Sequence, residues 1–247
     1  NIQRLRFVTL PAMEPSPGRL LLIPSPLGDD ALHTIPEQTL EAIRPLRHFV
    51  VETGKVARRF LKQAGLPLQE CTYYELNKRT DPRDLPEMLG ATERGCDVGL
   101  LSDAGAPGVA DPGAKLVLLA HQQRVRVVPL IGPSAILLSL MAAGLNGQSF
   151  TFHGYLSPKR QQLAKDLRRL EANSRKGTTQ LWIEAPYRNQ ATVETALESL
   201  HPNTLFSVAC DLSLETEFIF TGRIRDWDKA VGASLQKRPA MFLLLAR

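Results

Sequence analysis

Residues 100–113, with the sequence LLSDAGAPGVADPG, are the most informative part of the chain. An apolar run ends at Leu101, and the glycines and alanines that follow let the backbone approach a ligand closely. Because ligands of open α/β sheets bind beyond the carboxyl ends of the strands, this segment predicts a binding site. We expect Asp103 to place a carboxylate in the crevice, where it suits a ligand ammonium or a ribose hydroxyl. Asp111, just before Pro112, is instead interpreted as an N-cap of the next helix.

Short β-rich runs alternate with helical stretches on both sides of this segment. Strands are predicted at 20–24, 48–52, 97–102, 125–130, 149–153, 178–184, 205–209, 216–221 and 240–246. Helices are predicted at 36–44, 56–64, 83–94, 112–122, 133–143, 159–172 and 189–200, with a short one near 226. The alternation favours a mostly parallel sheet in the first half, and the neighbouring late strands favour a mixed sheet in the second. We therefore predict an α/β protein of two domains, residues 18–130 and 131–247, after a loose Pro-rich leader at 1–17 in which Met13 is a candidate start.

The composition narrows the class of protein. The chain has 247 residues, of which 43% are hydrophobic and 22% charged, so disorder is excluded. Its apolar runs are shorter than the ~20 residues that cross a bilayer, and no stretch has the pattern of a signal peptide, so we expect a cytoplasmic protein without a membrane partner. The three cysteines and five histidines follow no ligand spacing, so no metal site is expected. The net charge of +5 permits an RNA partner without requiring one.

Two further turns follow predicted strands, at residues 23–29 (IPSPLGD) and 132–135 (GPSA). Neither has a phosphate-binding glycine pattern, but Ser134 and the free backbone N–H groups of a helix start are suited to hold a carboxylate or hydroxyl. Three such turns at strand ends predict one cleft that binds one extended small molecule. The alternative for each turn is ordinary loop chemistry.

Two charged segments stand at the ends of other strands. Glu52 is followed by Lys55 and by arginines on the next helix, a cluster that fits either a solvated face or a phosphate contact. Residues 184–188 (EAPYR) allow either a structural ion pair between Glu184 and Arg188 or an aromatic ring and a cation that face a substrate.

Residues 102–113 resemble the SDAGxPxxxDPG signature of the tetrapyrrole methylase superfamily, the class III S-adenosylmethionine-dependent methyltransferases. Within the superfamily, the resemblance is to the bacterial 16S ribosomal RNA cytidine-2′-O-methyltransferase family, and it covers about residues 18–247. The matching segments follow the same order along the chain as in the family. They are the turn at 24–29, Glu52 with its basic helix, the signature, residues 127–135 and residues 184–188.

The resemblance implies a methyltransferase whose cofactor, S-adenosylmethionine, binds between the two α/β domains of a homodimer. Carried over by position, the cofactor-binding residues are Leu27, Ser102, Asp103, Ala106, Ser134, Ala135, Ala185, Leu212, Pro239 and Ala240. The implied acceptor is a ribose 2′-oxygen of ribosomal RNA, on a cytidine of the 16S RNA in the small ribosomal subunit. A ribose hydroxyl is a poor nucleophile that needs alignment and a nearby base or cation, and we assign this catalytic role to Glu52, with Lys55 or Arg188 beside it.

Departures from the family pattern keep alternatives open. Residues 52–55 read ETGK where the ribosomal enzymes usually have EDTR, and the chain stops at Arg247 without their C-terminal extension, so we expect a short sub-branch. The turn at 24–29 differs from the GxGxGD type of the tetrapyrrole-modifying members, which disfavours a porphyrinoid acceptor. The alternatives are a methyltransferase for a small, tetrapyrrole-like molecule and a non-catalytic module that binds S-adenosylmethionine.

Overall fold

The computed structural model describes residues 17–246, which form two α/β domains. The strands are β1 (Arg19–Ile23), β2 (His48–Val51), β3 (Thr72–Glu75), β4 (Val98–Leu101), β5 (Arg126–Pro129), β6 (Phe150–Tyr155), β7 (Thr179–Glu184), β8 (Leu205–Cys210), β9 (Phe218–Arg223) and β10 (Ala240–Leu245). The helices are α1 (Glu37–Ile43), α2 (Gly54–Gln63), α3 (Leu85–Glu93), α4 (Ala114–Gln122), α5 (Ala135–Ala143), α6 (Arg160–Ser174), α7 (Asn189–Ser199) and α8 (Val231–Ser234). The predicted leader, apart from Pro17, lies outside the described residues, as does Met13.

The first five strands form a parallel sheet in the order β3-β2-β4-β1-β5. Its central strands are short apolar runs, as expected for parallel strands that are covered on both faces. Helices α1 and α2 cover one face through Ile43 and Leu61, and α3 and α4 cover the other through Leu89 and Leu116. Because all five strands run the same way, the loops at their carboxyl ends meet along one edge of the sheet.

The last five strands form a mixed sheet in the order β6-β7-β10-β8-β9. Strands β6 and β7 are parallel, whereas β10 pairs antiparallel with β7 and β8, and β9 pairs antiparallel with β8. Helices α6 and α7 cover one face around Trp182, which stacks on Phe206 and Phe242 with ring centroids 6.2 and 5.7 Å apart. Helix α5 covers the other face through Leu140 and Ala143.

The chain passes from the first sheet to the second in the connection between β5 and α5. Strand β5 ends at Pro129 beside β1, and α5 packs against β8, β9 and β10 of the second sheet. We propose the domain boundary within this connection, between residues 130 and 131.

The α/β fold class, with a parallel first sheet and a mixed second sheet, is confirmed. The predicted strands and longer helices agree with the observed ones to within two residues at each end, and the short helix near 226 is a 3₁₀ turn at Ile224–Asp226. The sequence pattern does not predict β3, because this edge strand is only partly buried and its alternating apolar signal is weak. Within residues 17–246, no helix has the length and apolar character needed to cross a bilayer.

Candidate functional site

A cleft of about 270 Å³ opens between the two domains at the carboxyl ends of β1, β4 and β5. Seven of the ten predicted cofactor-binding residues line it, and they are Leu27, Ala106, Ser134, Ala135, Leu212, Pro239 and Ala240. Ser134 is the N-cap residue of α5, but its hydroxyl makes no capping hydrogen bond and remains available to a ligand. The structure thus brings together residues from distant parts of the sequence and from both domains, and their binding role stays a prediction.

The loop at residues 102–113, which we call the signature loop, is anchored to the turn after β1. Ser25 and Gly105 exchange backbone hydrogen bonds of 2.9 Å in both directions, and the Ser25 hydroxyl donates to the carbonyl of Ser102 at 2.8 Å. Gly105 has a φ of +72°, in the left-handed region that favours glycine. These contacts leave the backbone at 104–106 on the wall of the cleft, where a ligand can approach it.

Glu52 and Asp103 are linked through the backbone of the signature loop. Glu52 accepts a 3.3 Å hydrogen bond from the N–H of Asp103. The Asp103 carboxylate in turn accepts hydrogen bonds from the N–H and hydroxyl of Thr53 at 3.1 and 2.8 Å. Burial raises the pKa of Glu52, and the negative charges of Asp111 and Asp103 raise it further, whereas the hydrogen bond from the Asp103 N–H and the charge of Lys78 oppose the increase. Glu52 therefore holds the loop in place and lies in the electrostatic field of Lys78.

Asp111 lies on the cleft wall and is not a helix cap. Helix α4 begins at Ala114, and its N-cap is Gly113, which has a φ of +136°. The interpretation of Asp111 as an N-cap is wrong, because the positive φ angles of Ala110 and Gly113 turn the chain before the helix and direct Asp111 to the cleft. Burial raises the pKa of Asp111 and the charge of Asp103 raises it further, whereas Ser102 and the charge of Lys78 oppose the increase. A cleft carboxyl with a raised pKa is a candidate acid or base.

A bulge in β6 places two aromatic side chains in the cleft. The pairing of β6 with β7 shifts between Phe152 and Tyr155, and Gly154 in the bulge has a φ of +64°. Residues three apart normally face opposite sides of a strand, whereas the extra residue turns Phe152 and Tyr155 to the same cleft. Burial raises the pKa of Tyr155, and the charges of Asp111 and Glu184 act in the same direction. The sequence pattern does not single out Tyr155, although a glycine inside a strand is the signal that indicates a bulge.

The loop after β8 is fixed by a partly buried ion pair. Arg238 Nε donates to Asp211 Oδ2 at 2.8 Å, and the Asp211 side chain is only 8% exposed. The pair stabilises Asp211 at a φ of +49°, so that the next residue, Leu212, lines the cleft. Leu214 of the same loop packs on the first domain, where a Cβ added at Gly28 would lie 2.7 Å from the leucine side chain. This loop therefore joins the two walls of the cleft.

Three further predicted site residues, Arg188, Lys55 and Ala185, do not line the cleft. Arg188 lies 2.9 Å from Glu184 and donates to the carbonyl of Ser157 at 2.8 Å, which is the geometry of the structural ion pair. Burial raises the pKa of Glu184, and Arg188 opposes this increase. Lys55 is exposed on α2, and Ala185 lies between two residues that line the cleft. The roles assigned to these three residues stay predictions.

Two further cavities adjoin the cleft. The α2 cavity, of about 400 Å³, lies between the turn after β1 and helix α2, and Ser102 and Asp103 line it. The lysine cavity, of about 360 Å³, lies between the loop after β3 and the start of α4, and Lys78 and Lys115 line it. Asp111 belongs to the walls of both the lysine cavity and the cleft. Within residues 17–246, no group of three or more His, Cys, Asp and Glu side chains is placed to hold a metal ion.

Methyltransferases are among the solved structures that match this two-domain architecture. The methyltransferase CobJ matches with a TM-score of 0.61 and 18% identity, over 93% of this chain and 100% of that chain. CbiF, described as the cobalamin biosynthetic enzyme cobalt precorrin-4 methyltransferase, matches with a TM-score of 0.60 and 14% identity, over 92% of this chain and 94% of that chain. The fold is therefore that of the tetrapyrrole methyltransferase class, as the signature loop predicts.

Comparison with curated sequences narrows this class to a family. Ribosomal RNA small subunit methyltransferase I of Mesorhizobium japonicum is 32% identical over 216 residues, which are 87% of this chain and 70% of the relative. The protein of the same name from Synechocystis is 30% identical, over 84% of this chain and 72% of the relative. No family model matches the chain. The chain belongs to the ribosomal RNA small subunit methyltransferase I family and is a methyltransferase.

Proposed function

We propose that the protein transfers a methyl group from S-adenosylmethionine to a ribose 2′-oxygen of small-subunit ribosomal RNA, on a cytidine of the 16S RNA. The observation that carries this proposal is the cleft, in which the signature loop and residues of both domains line one concave space. The name of the relatives, Ribosomal RNA small subunit methyltransferase I, supports RNA as the acceptor. A ribosomal RNA substrate also supports the proposal that the protein is cytoplasmic.

The lining of the cleft fits S-adenosylmethionine, which combines an adenosine, an amino acid and a positive sulfonium. Leu27 and Leu212 offer apolar walls for the adenine ring, and the Ser134 hydroxyl is available to a polar group of the ligand. Asp111 presents a carboxylate toward a ligand that carries positive charge. When bound there, the cofactor supplies an electrophilic methyl group. Leu214 packs on the turn at Gly28 and lines the neighbouring α2 cavity.

The proposed catalytic residues act from the first domain and from the end of β7. Glu52 holds the signature loop through the N–H of Asp103, and we propose that it orients the acceptor, with Lys55 or Arg188 as the nearby cation. The variant Glu52→Gln keeps the shape of the side chain and removes its charge. It should slow methyl transfer while the affinity for S-adenosylmethionine, measured by calorimetry, stays within about twofold. Unchanged turnover would remove Glu52 from the mechanism.

We also propose that the protein is a homodimer in which α5 contributes to the interface. Leu137 and Met141 lie one turn apart on this helix and are 55% and 78% exposed, and Ile131 just before it is 71% exposed. The opposite side of α5 is buried against the second sheet, so the helix is apolar on both faces. A helix that is apolar on both faces typically packs against a second partner. A second copy of the chain is the partner that the family resemblance implies.

A small, tetrapyrrole-like acceptor is the second candidate function. The solved structure of CbiF, which has the same fold, is that of a cobalt precorrin-4 methyltransferase. The two functions differ in their dependence on salt. Binding of an RNA weakens steeply as salt displaces phosphate contacts, whereas binding of a small molecule in a largely apolar pocket changes little.

The proposed function is tested by transfer of a labelled methyl group. Purified protein and labelled S-adenosylmethionine are offered small ribosomal subunits, and separately naked 16S RNA, from a strain that lacks this gene. We expect label in the RNA and one site that resists alkaline cleavage, which identifies a methylated 2′-oxygen. Absence of label, with cofactor binding confirmed by calorimetry, would refute the RNA acceptor and favour a small-molecule acceptor or a non-catalytic binding role.

A further inference from the structure

We infer that the lysine cavity binds the nucleotide that carries the acceptor hydroxyl, with its phosphate on Lys78 and Lys115 and its ribose at Asp111. This inference rests on the proposed function and names the part of the molecule that receives the RNA. It follows from the position of the cavity, from the chemistry of its lining and from the contrast with the α2 cavity.

The lysine cavity communicates with the cleft through a shared wall. Ala110 and Asp111 line both spaces, so a ligand in the cavity and a ligand in the cleft meet at the Asp111 carboxylate. Methyl transfer requires the acceptor oxygen to lie in line with the methyl group, at the boundary between two binding sites. The cavity, at about 360 Å³, is within the range of sites that hold ligands of nucleotide size.

The lining of the lysine cavity suits a phosphate and a sugar. Lys78 and Lys115 are exposed, and within residues 17–246 neither has a carboxylate within ion-pair distance. Leu76, Pro82 and Leu85 provide an apolar floor. The lysines are therefore available to an anion, and the floor can support the uncharged part of a nucleotide.

The polar side chains beside the lysines are already occupied within their own turn. The Asn77 side-chain carbonyl accepts a hydrogen bond from the N–H of Arg79 at 2.9 Å, and the Thr80 hydroxyl accepts one from the N–H of Asn77 at 2.9 Å. Few groups remain to read the edge of a base. The cavity is thus expected to hold the nucleotide by its phosphate and to leave sequence selection to other contacts.

The α2 cavity is a poorer site for a polyanion. Its cation, Arg59, is paired with Asp29, and the Asp103 carboxylate adds a negative charge to the same wall. A phosphate entering this space would meet a neutralised arginine and an acid. The lysine cavity, in contrast, has two cations and its acid only at the junction with the cleft.

At that junction, Asp111 is placed to accept a hydrogen bond from the acceptor hydroxyl. In the transfer, the hydroxyl proton passes to the Asp111 carboxylate, and an oxygen electron pair forms the new bond to the methyl carbon. The bond from that carbon to the sulfur of S-adenosylmethionine breaks with its electron pair left on sulfur. Asp111 takes up the proton that the reaction releases, and Glu52 keeps the loop of Asp111 in position.

The test measures the binding of naked 16S RNA as a function of salt, in the presence of S-adenosylhomocysteine. Removing the cation that meets one phosphate should reduce the magnitude of the slope of log Kobs against log salt concentration by about 0.7 to 0.9. We expect the variants Lys78→Gln and Lys115→Gln each to reduce the slope by about this amount and to weaken binding. The matched control Lys176→Gln, at an exposed lysine of the second domain, should leave slope and affinity unchanged.

Calorimetry with S-adenosylmethionine shows whether each variant keeps a folded cleft. If the wild type binds and methylates RNA while Lys78→Gln and Lys115→Gln keep its slope, the lysine cavity is not the acceptor site and the proposed function stands. A slope reduced equally by Lys176→Gln would also overturn the inference, because the effect would then be one of general charge. If the wild type neither binds nor methylates RNA, both the inference and the proposed function are wrong.

Discussion

Replacing Arg238 by glutamine should weaken both the fold and the proposed cofactor site, because this arginine fixes the loop after β8. Its guanidinium donates to Asp211 at 2.8 Å, to the carbonyl of Ser234 at 3.2 Å and to the carbonyl of Thr216. In Arg238→Gln, the Asp211 carboxylate, whose side chain is 8% exposed, retains the Thr216 hydroxyl at 2.7 Å as its partner. The variant therefore leaves a nearly buried charge without its counterion.

The magnitude follows from the burial of the two partners. Breaking a fully buried pair costs about 3–5 kcal/mol. The Arg238 side chain is 26% exposed, so solvent screens part of the interaction, and we expect a loss of about 2–3 kcal/mol in the free energy of unfolding. For a chain of this size that loss lowers Tm by roughly 4–12 °C. The displaced loop carries Leu212 away from the cleft, so the Kd for S-adenosylmethionine should rise about tenfold.

The assay is a double-mutant cycle with Asp211→Asn, followed by urea unfolding and calorimetry. Because the two residues form one pair, the double variant should lose less stability than the sum of the single variants, by about 1–2 kcal/mol. The matched control is Arg225→Gln, which breaks an exposed pair with Asp226 at 3.8 Å and should change stability by less than about 0.5 kcal/mol. Additive losses, together with an unchanged Kd, would refute the view that the Asp211–Arg238 pair positions the loop.

Three further predictions concern the junction of the cleft with the lysine cavity, the proposed dimer, and the turn before α5. Because burial raises the pKa of Asp111, its ionised form is reached only at higher pH, so the single-turnover rate should rise with pH through that raised pKa. The variant Asp111→Asn should abolish this rise of the rate with pH and slow transfer by about 10²–10⁴-fold. It should also stabilise the fold at neutral pH, because a carboxyl with a raised pKa loses its stabilising protonation as pH rises. The variant Met141→Glu should shift the protein from dimer to monomer in light scattering, and an unchanged mass would exclude α5 from the interface. The variant Gly132→Ala should cost about 1–3 kcal/mol of stability and weaken cofactor binding in calorimetry, because its Cβ would lie 2.2 Å from the rigid ring of Pro24. Wild-type stability in this variant would show that the turn at Pro24 and the turn at Gly132 do not depend on each other.

Local apolar patterns predict most of this fold because the buried strands carry their signal in consecutive residues. After the exposed Arg19, β1 reads as an apolar run, as does β4 apart from Gly99, and helices cover the sheet on both faces. Strand β3 fails this rule, since Thr72 and Glu75 are exposed and only the tyrosines between them are partly buried. Its place in the sheet is set by pairing with β2, which is a long-range contact that a local pattern does not contain.

The candidate site is predictable only where a residue type requires a particular backbone. The small residues of the signature loop indicate close approach, and the loop does line the cleft. Asp111 before Pro112 has the pattern of a cap, but the left-handed turn at Ala110 overrides it, and alanine gives no sign of a positive φ. Tyr155 enters the cleft through a bulge, and its register with β7 depends on residues far along the chain.

The order of the first sheet explains why the signature follows β4 and why its loop serves two sites. In the order β3-β2-β4-β1-β5, strand β4 is central. The cleft takes its first-domain residues from the loops after β4, β1 and β5, whereas the lysine cavity takes its lining from the loops after β3 and β4. The loop after β4 is therefore the element that lines both spaces. Glu52 follows β2, the strand between β3 and β4, and anchors this loop by accepting a hydrogen bond from the N–H of Asp103. In the proposed function, the methyl donor in the cleft and the acceptor in the lysine cavity meet at this loop, which gives a physical reason for its small residues and for the position of Asp111.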